Sequence, residues 1–380
     1  MSITKQIFSI SMVKNEMDIL ESFVRYHTNI FDGMIFLDNK STDKSVNILT
    51  LLKNEGLPIY IFEDEDEEFN FQKKINQILL IAVEKFKADI IVPLDADEFL
   101  ISSKKGNPRK ILERIEFPTF NLAKWKTFVP TFNKENVEKF IPSKIIYARD
   151  DAVETFYKAI LPRELVEKYN VELVNGSHDL TYDQQYKNSI KRIYNSDLII
   201  ARYPIRSKEQ TISKIVVGWI NEMNRFDRKE GENFHWKKIF NQIKKDEEID
   251  NEDIINFAKE FALKEDNLQI NIQEDPIDLT FCHNLEIIYT PDKINPFSNL
   301  LERFEFLSKS HLDFKRKSIY NETCYNDKID DLSMKLSELH NEKVVEEKFL
   351  NGKIDQYKNS LSWKITSPLR KIGNIIRKSD

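Results

Sequence analysis

The sequence predicts an α/β fold: a mixed, mostly parallel sheet flanked by helices, followed by a helical extension. Three observations predict it. Near the N-terminus, short apolar runs alternate with longer segments of helical period across short connections, the pattern of strand–helix units with parallel strands. Two of those runs, at 33–38 and 89–94, lead into carboxylates, as expected where strand ends face a site. Past about residue 296, Ile329, Leu332, Leu336 and Leu339 take up the 3-4-3 spacing of a helical seam.

The elements follow in order. Residues 6–13 read as a buried strand and 16–29 as an amphipathic helix carrying Leu20, Phe23, Val24 and His27. Residues 33–38 form a second strand, 43–54 a helix and 58–62 a third strand. A long helix over 71–86 presents Ile75, Ile78, Leu79, Ala82 and Val83, and 89–94 is the fourth strand. From 124 to 150 the pattern is β-rich, with Trp125, Phe128, Val129 and Tyr147. Residues 172–174 and 198–203 read as further strands, and 208–264 as charged helix. The seam resumes at Leu350, Ile354, Tyr357 and Leu361, interrupted by Lys343 and Glu346. The expected organisation is a domain over 1–295, a short coiled-coil extension over 296–360 and a basic amphipathic tail over 361–380. That tail suits a peripheral membrane contact, and the seam suits self-association.

Composition narrows the function. Of 380 residues, 41% are hydrophobic and 32% charged, which supports a core beneath a solvated surface. A net charge of −6 gives no reason to expect a nucleic-acid partner. With only eight glycines, neither G-x-G-x-x-G nor a Walker pattern occurs, which removes glycine-loop dinucleotide binding. Cys282 and Cys324 share no metal-ligand spacing, so a reduced, cytoplasmic protein is the expectation. No run reaches the roughly 18 apolar residues of a membrane span.

The strongest chemical signal is Pro93-Leu94-Asp95-Ala96-Asp97-Glu98-Phe99-Leu100. Carboxylates crowded at a strand end repel one another unless a cation or hydrogen bonds compensate. A hard divalent cation accepts oxygen ligands, so Asp95 and Asp97 are the candidate metal ligands, with Asp95 also facing the donor diphosphate. The plainer reading is a solvated acidic turn. Leu37-Asp38-Asn39-Lys40-Ser41-Thr42-Asp43 follows another strand. There Asp38 and Asn39 are placed to bond a base edge or ribose, while Ser41 or Thr42 caps the next helix and Asp43 favours its positive end. Asn15, in the loop leaving the first strand, is a candidate nucleotide contact. In Tyr203-Pro204-Ile205-Arg206-Ser207, Arg206 stands at a helix entry with Lys214 two turns further on, and both suit phosphate oxygens.

Val13-Lys14-Asn15-Glu16, Leu37 to Asp43 and Leu94 to Phe99 together resemble the glycosyltransferase family 2-like group over roughly residues 5–290. The resemblance implies a GT-A fold, a Rossmann-like nucleotide-binding sheet whose D-x-D motif binds Mn2+ or Mg2+. Many such enzymes carry two acids before the Ser-Thr-Asp turn, where this chain has Asp38 and Asn39. The resemblance also implies that His178 completes the metal or phosphate site and that Asp179 acts as catalytic base, with Asp150, Asp151 and Glu154 as competitors. The expected reaction is inverting transfer of a sugar from a nucleotide-sugar donor to a hydroxyl of a glycan or lipid-linked glycan, in bacterial surface polysaccharide synthesis. Two rivals are a D-x-D phosphohydrolase and an inactive scaffold working through its coiled coil. In the phosphohydrolase the motif ends the first strand, whereas here it ends the fourth.

Overall fold

A computed structural model describes residues 4–64, 71–132, 137–150, 156–223, 234–245, 247–263, 270–293, 295 and 297–366. Its elements are β1 (Ile7–Val13), α1 (Leu20–His27), β2 (Gly33–Asp38), α2 (Ser45–Asn54), β3 (Ile59–Glu63), α3 (Phe71–Glu84) and β4 (Ile90–Pro93). There follow β5 (Glu98–Ser102), α4 (Arg109–Leu112), β6 (Thr119–Val129), α5 (Ile141–Lys144), β7 (Tyr147–Arg149) and β8 (Tyr157–Pro162). Next come α6 (Arg163–Tyr169), β9 (Glu172–Leu173), β10 (Leu180–Thr181), β11 (Lys191–Arg202) and α7 (Lys208–Met223). The chain continues through α8 (Phe234–Lys244), α9 (Asn251–Glu260), β12 (Ile272–Glu274) and α10 (Ser298–Asn359).

The expected mixed sheet is present, in the order β12-β7-β6-β8-β4-β1-β2-β3. The segment β4-β1-β2-β3 is parallel throughout. Strand β8 runs antiparallel between β4 and β6, and β11 joins β6 in parallel while pairing β5 antiparallel. Helices cover both faces, and the strands alternate accordingly. Met34 and Phe36 pack into the core with Phe23 of α1 and Leu49 of α2, whereas Ile35 and Leu37 pack into the core with Ile75, Ile78 and Leu79 of α3. A third apolar cluster joins α7, α8 and α9 through Ile215, Ile239, Ile254 and Phe257.

Boundaries differ from expectation where local chemistry overrides periodicity. Helix α1 begins at Leu20 because residues 16–19 form a turn in which the Glu16 carbonyl accepts from Ile19 and Leu20. Helix α2 begins at Ser45, whose N–H donates to Asp43 Oδ1; Asp43 therefore does the capping expected of Ser41 or Thr42. Strand β11 starts at Lys191, well before 198, because its first half is exposed and polar and leaves no apolar signature. Strands β5 and β8 carry buried charged residues, Glu98 and Lys158, that break the apolar pattern.

Two polar side chains of α1 organise the surrounding core. Glu21, with no exposed surface, accepts from the N–H groups of Ile288, Tyr289 and Thr290 and bonds Arg25, which in turn forks onto Glu55. His27 lies among Phe23, Phe31 and Phe99. Its Nδ1 meets the Phe23 carbonyl and its Nε2 accepts from Leu100 N–H, an arrangement that only the neutral Nδ1-protonated ring satisfies.

The chain divides into two compact units, Met1–Phe304 and Glu305–Asp380. In the second, Leu332, Leu336 and Leu339 are exposed on the α10 helix. No helix of the described residues is long and apolar enough to cross a membrane. Most of the basic tail, from 367 onward, lies outside the described residues, as do Asp151 and Glu154.

Burial lowers the His27 pKa from 6.5 to about 3. Between those values the unfolded chain takes up a proton that the folded chain refuses. This stability is complete above about pH 6.5 and is lost as pH falls, by roughly 2 kcal/mol at pH 5. Urea denaturation at pH 7 and 5, with NMR of the ring, checks it; a His27 ring that titrates near 6.5 in the folded protein refutes it.

Candidate active site

The chain leaves β4 at Pro93 and turns sharply into β5, with Glu98 N–H donating to the Asp95 carbonyl across the turn. Asp95, Asp97 and Glu98 are all on this turn or its exit. Glu98 has no exposed surface and Asp97 is buried, while the Asp95 side chain retains 35% exposure. A turn this acidic needs counter-charge, and the structure supplies it from three directions.

The first is Lys158 of β8. Because β8 runs antiparallel to β4, its beginning lies beside the end of β4. The Lys158 ammonium stands 3.0 Å from Asp95 Oδ2 and 3.0 Å from Glu98 Oε2, with its side chain 1% exposed. Glu98 Oε2 also accepts from the Asp95 N–H at 2.9 Å. Burial, with Asp95 adding to it, raises the Glu98 pKa to about 8 against the pull of Lys158. Burial disfavours the Lys158 charge, yet Asp95 and Glu98 together hold its pKa above the ordinary lysine value.

The second is α7. Lys214 Nζ donates to the Pro204 carbonyl at 3.0 Å and lies 3.8 Å from Asp97 Oδ2. The third is the end of β11, where Arg202 lies in register with Glu98 on β5 and Thr127 on β6. Burial by itself raises the Asp97 pKa, but Lys214, Arg202, Arg206 and Lys158 outweigh it and hold the carboxyl below its usual range. Asp97 is thus an ionised carboxylate at neutral pH.

His178 follows a short 3-10 turn, Asn175–Ser177. Its ring packs on Trp125 and Phe156 with centroids 4.9 and 5.3 Å away, and Nδ1 lies 2.8 Å from the Tyr157 carbonyl. A carbonyl only accepts, so Nδ1 carries the proton and Nε2 is left as the acceptor nitrogen. Burial lowers its pKa, and Asp95 and Lys158 are close enough to act on it. Gly176 is required here twice: its φ is +71°, and a Cβ would come within 2.6 Å of His178 Nε2.

Other expected residues are placed differently. Arg206 does not present a free fork to phosphate. It is buried, with Nε and Nη2 on the carboxylate of Asp18, Nη2 also on Glu16 at 2.7 Å, and Nη1 on the Tyr203 carbonyl. Asn15 ties two loops together: its Oδ1 accepts from the N–H groups of Thr42 and Asp43, and its backbone sits at φ 56°. The Asp179 carboxylate bonds Arg192 at the start of β11, whereas the acidic turn adjoins the end of that strand. The Asp179 carboxylate is thus engaged by Arg192. Asp150 is exposed beside β7. Asp38 and Asn39, both buried, close β2; Asp38 Oδ2 accepts from Ser41 N–H, while Oδ1 is buried and meets no donor among the described residues.

Two clefts lie on the Arg206 side of the molecule; Lys214 lines the first, and neither is lined by Asp95, Asp97 or His178. One, of about 430 Å³, lies between the loop after β1 and α7 and is lined by Asn15, Glu16, Gln210, Lys214 and Trp236. The other, of about 730 Å³, is lined by Lys139, Lys144, Glu209 and Lys293. Asp18 and Arg206 belong to both, so their ion pair is the wall between them. Each is large enough for a nucleotide or a sugar.

The oxygen-rich donor set of Asp95 and Asp97 suits a hard divalent cation. The third ligand expected of His178 is not assembled: among the described residues, no three His, Cys, Asp or Glu side chains stand together in a metal-holding group. Sequence reasoning noticed Glu98 among the three acids without giving it a role, and missed Lys158 and Arg202. The usable signal was a charged residue inside an apolar run, Tyr157-Lys158-Ala159-Ile160-Leu161 and Leu198-Ile199-Ile200-Ala201-Arg202.

Replacing Lys158 by Met should cost about 1–3 kcal/mol, because it removes the buried donor shared by Asp95 and Glu98. Adding Asp95→Asn should recover part of that loss, read by urea denaturation of both variants. Wild-type stability in Lys158→Met refutes the charge-compensation account.

No family model and no curated protein matches the chain. Among solved structures it is similar to a mannosyltransferase from Pyrobaculum calidifontis in complex with GDP-Man and Mn2+ (TM-score 0.34, 11% identity, covering 60% of this chain and 67% of that one). It is also similar to GalNAc-T7 with UDP, GalNAc and Mn2+ (TM-score 0.36, 10% identity, 63% and 55%). A third is glucosyl-3-phosphoglycerate synthase from Mycobacterium tuberculosis in complex with Mn2+, UDP and glucosyl-3-phosphoglycerate (TM-score 0.22, 16% identity, 32% and 44%). The chain thus spans about half the length of the second and less than half of the third.

Proposed function

We propose that this chain is a glycosyltransferase that takes a sugar from a nucleotide-sugar donor and uses Mn2+ or Mg2+ at Asp95 and Asp97. The observation that carries the reading is the acidic turn at the carboxyl end of β4, beside the loops that leave β1 and β2 and ringed by Lys158, Arg202 and Lys214. That is where an open α/β sheet receives a nucleotide, and the charge pattern suits a diphosphate approached together with a cation.

The reaction breaks the bond from the sugar's anomeric carbon to the β-phosphate oxygen, and the electron pair leaves with the nucleoside diphosphate. An acceptor hydroxyl oxygen forms the new bond, and its proton passes to a base. A bound divalent cation supplies neutralising charge for the departing diphosphate. The chain's own residues prepare the site. Lys158 fixes the Asp95 carboxylate, and Lys214 and Arg202 keep Asp97 ionised. The unpartnered Asp38 Oδ1 is available to a donor N–H or hydroxyl of the nucleoside. His178 contributes a neutral Nε2 at the edge of the same turn.

The finer reading is inverting transfer to a hydroxyl of a glycan or lipid-linked glycan in surface polysaccharide synthesis. The exposed seam of α10 supports self-association, and the basic tail supports contact with an anionic membrane surface.

Asp97→Asn should abolish Mn2+-dependent binding of UDP or GDP, a loss of at least about 100-fold, while the protein stays folded with a somewhat lower melting temperature, because Lys214 and Arg202 lose the carboxylate they stabilise. Calorimetry with and without Mn2+ reads both proteins. Equal affinity in the variant removes the metal assignment.

A further inference from the structure

Arg202 is the cation at the site that protein groups leave incompletely engaged. Lys158 is held by Asp95 and Glu98, Arg206 by Glu16 and Asp18, and Lys214 by the Pro204 carbonyl near Asp97. Arg202 Nε and Nη1 are buried and, among the described residues, meet no hydrogen-bond acceptor. A buried guanidinium N–H without an acceptor is unfavourable, and native structures seldom retain one without a ligand or function to explain it.

The surroundings hold this side chain in place. Its backbone is paired on both sides, to Glu98 of β5 and Thr127 of β6. Its guanidinium lies 4.1 Å from the Trp125 ring centroid and 5.2 Å from that of Phe261. Phe261 is itself fixed from behind, since the buried Arg149 bonds the Phe261 carbonyl and the Thr127 hydroxyl. The Lys214 ammonium lies over the same Phe261 ring at 4.9 Å, so two cations share one aromatic floor. Stacked between rings, a guanidinium keeps its charge and its in-plane N–H groups, and those groups can face only along the ring edges.

We propose that Arg202 is a binding residue for the diphosphate of the donor, its Nε and Nη1 donating to phosphate oxygens beside the Asp95–Glu98 turn. The inference rests on the glycosyltransferase reading and deepens it: part of the leaving-group charge is met by a fixed protein cation as well as by a divalent ion. Arginine suits this place because its planar fork addresses two oxygens at once, and it cannot lose its charge as the bond to the sugar breaks. Trp125 and Phe261 form the clamp that keeps the fork aimed when no ligand is present.

Calorimetric titration of the full chain with UDP, GDP, the matching nucleosides and inorganic pyrophosphate, each with Mn2+, tests this. Arg202→Gln should weaken the nucleoside diphosphate that wild type binds, and pyrophosphate, by about 10- to 100-fold while leaving nucleoside affinity unchanged. Arg202→Lys keeps the charge and stem but loses the fork, and should weaken both at least about 3-fold; it decides the matter if the Gln variant does not fold. Lys208→Ala, on the α7 surface, serves as control and should bind as wild type does. Unchanged diphosphate affinity in the folded Arg202 variants overturns this proposal and leaves the glycosyltransferase reading standing. A wild type that binds neither UDP nor GDP overturns both. Equal weakening of nucleoside and diphosphate assigns Arg202 to packing around Trp125 and also overturns the proposal.

Discussion

The site depends on one electrostatic constraint: the acidic side chains crowded after β4 must be matched by a retained proton on Glu98 or by cations from other elements. Lys158 meets the first part of that demand, and its delivery explains why an antiparallel strand lies between β4 and β6. A parallel strand in that position would bring its carboxyl end, and a different set of residues, to the turn. The departure of β5 to pair with β11 has a similar consequence, because it sets Arg202 directly opposite Glu98. The sheet's change from parallel to mixed therefore falls where opposite charges have to meet.

The cations also differ in how firmly they are held. Arg206 carries two carboxylates on its Nε and Nη2 groups, and burial is offset by Asp18 and Glu16 so strongly that its pKa is raised. It is a structural member that fixes the loop after β1 against α7 and divides the two clefts. Lys214 is looser: burial lowers its pKa, and a single 3.8 Å approach links it to Asp97. Both residues line the smaller cleft. The arrangement combines a rigid partition with an adjustable charge.

Much of the fold was legible because β1, β2 and β4 are buried on both faces and the early helices are amphipathic. Met34 to Leu37 is apolar at every position, and the structure divides those residues alternately between two cores. The acidic turn was legible for the opposite reason, since no core explains three acids in that position. What sequence alone did not give was partnership. Arg206 reads as a phosphate ligand until Glu16 and Asp18, distant in sequence, are found on its guanidinium. Asp179 reads as a base until Arg192 is found on its carboxylate. Lys158 was overlooked because the short run 157–162 was not read as a strand, and its inward direction follows only from the tertiary pairing of β8. Local patterns report which residues are unusual; long-range contacts decide what the unusual ones touch.

Glu21 joins distant parts of the first unit. It is wholly buried on the first helix, yet the backbone N–H groups that satisfy it belong to Ile288, Tyr289 and Thr290. During synthesis, the ribosome completes the helix long before it makes those partners. Until the later segment emerges, a buried carboxylate at this point has only Arg25 for company, and the first helix cannot settle fully against the sheet. The native surroundings of the first helix therefore include a segment more than 260 residues later in the chain. The domain closes as a ring in sequence, its first helix tied through Glu21 to residues 288–290.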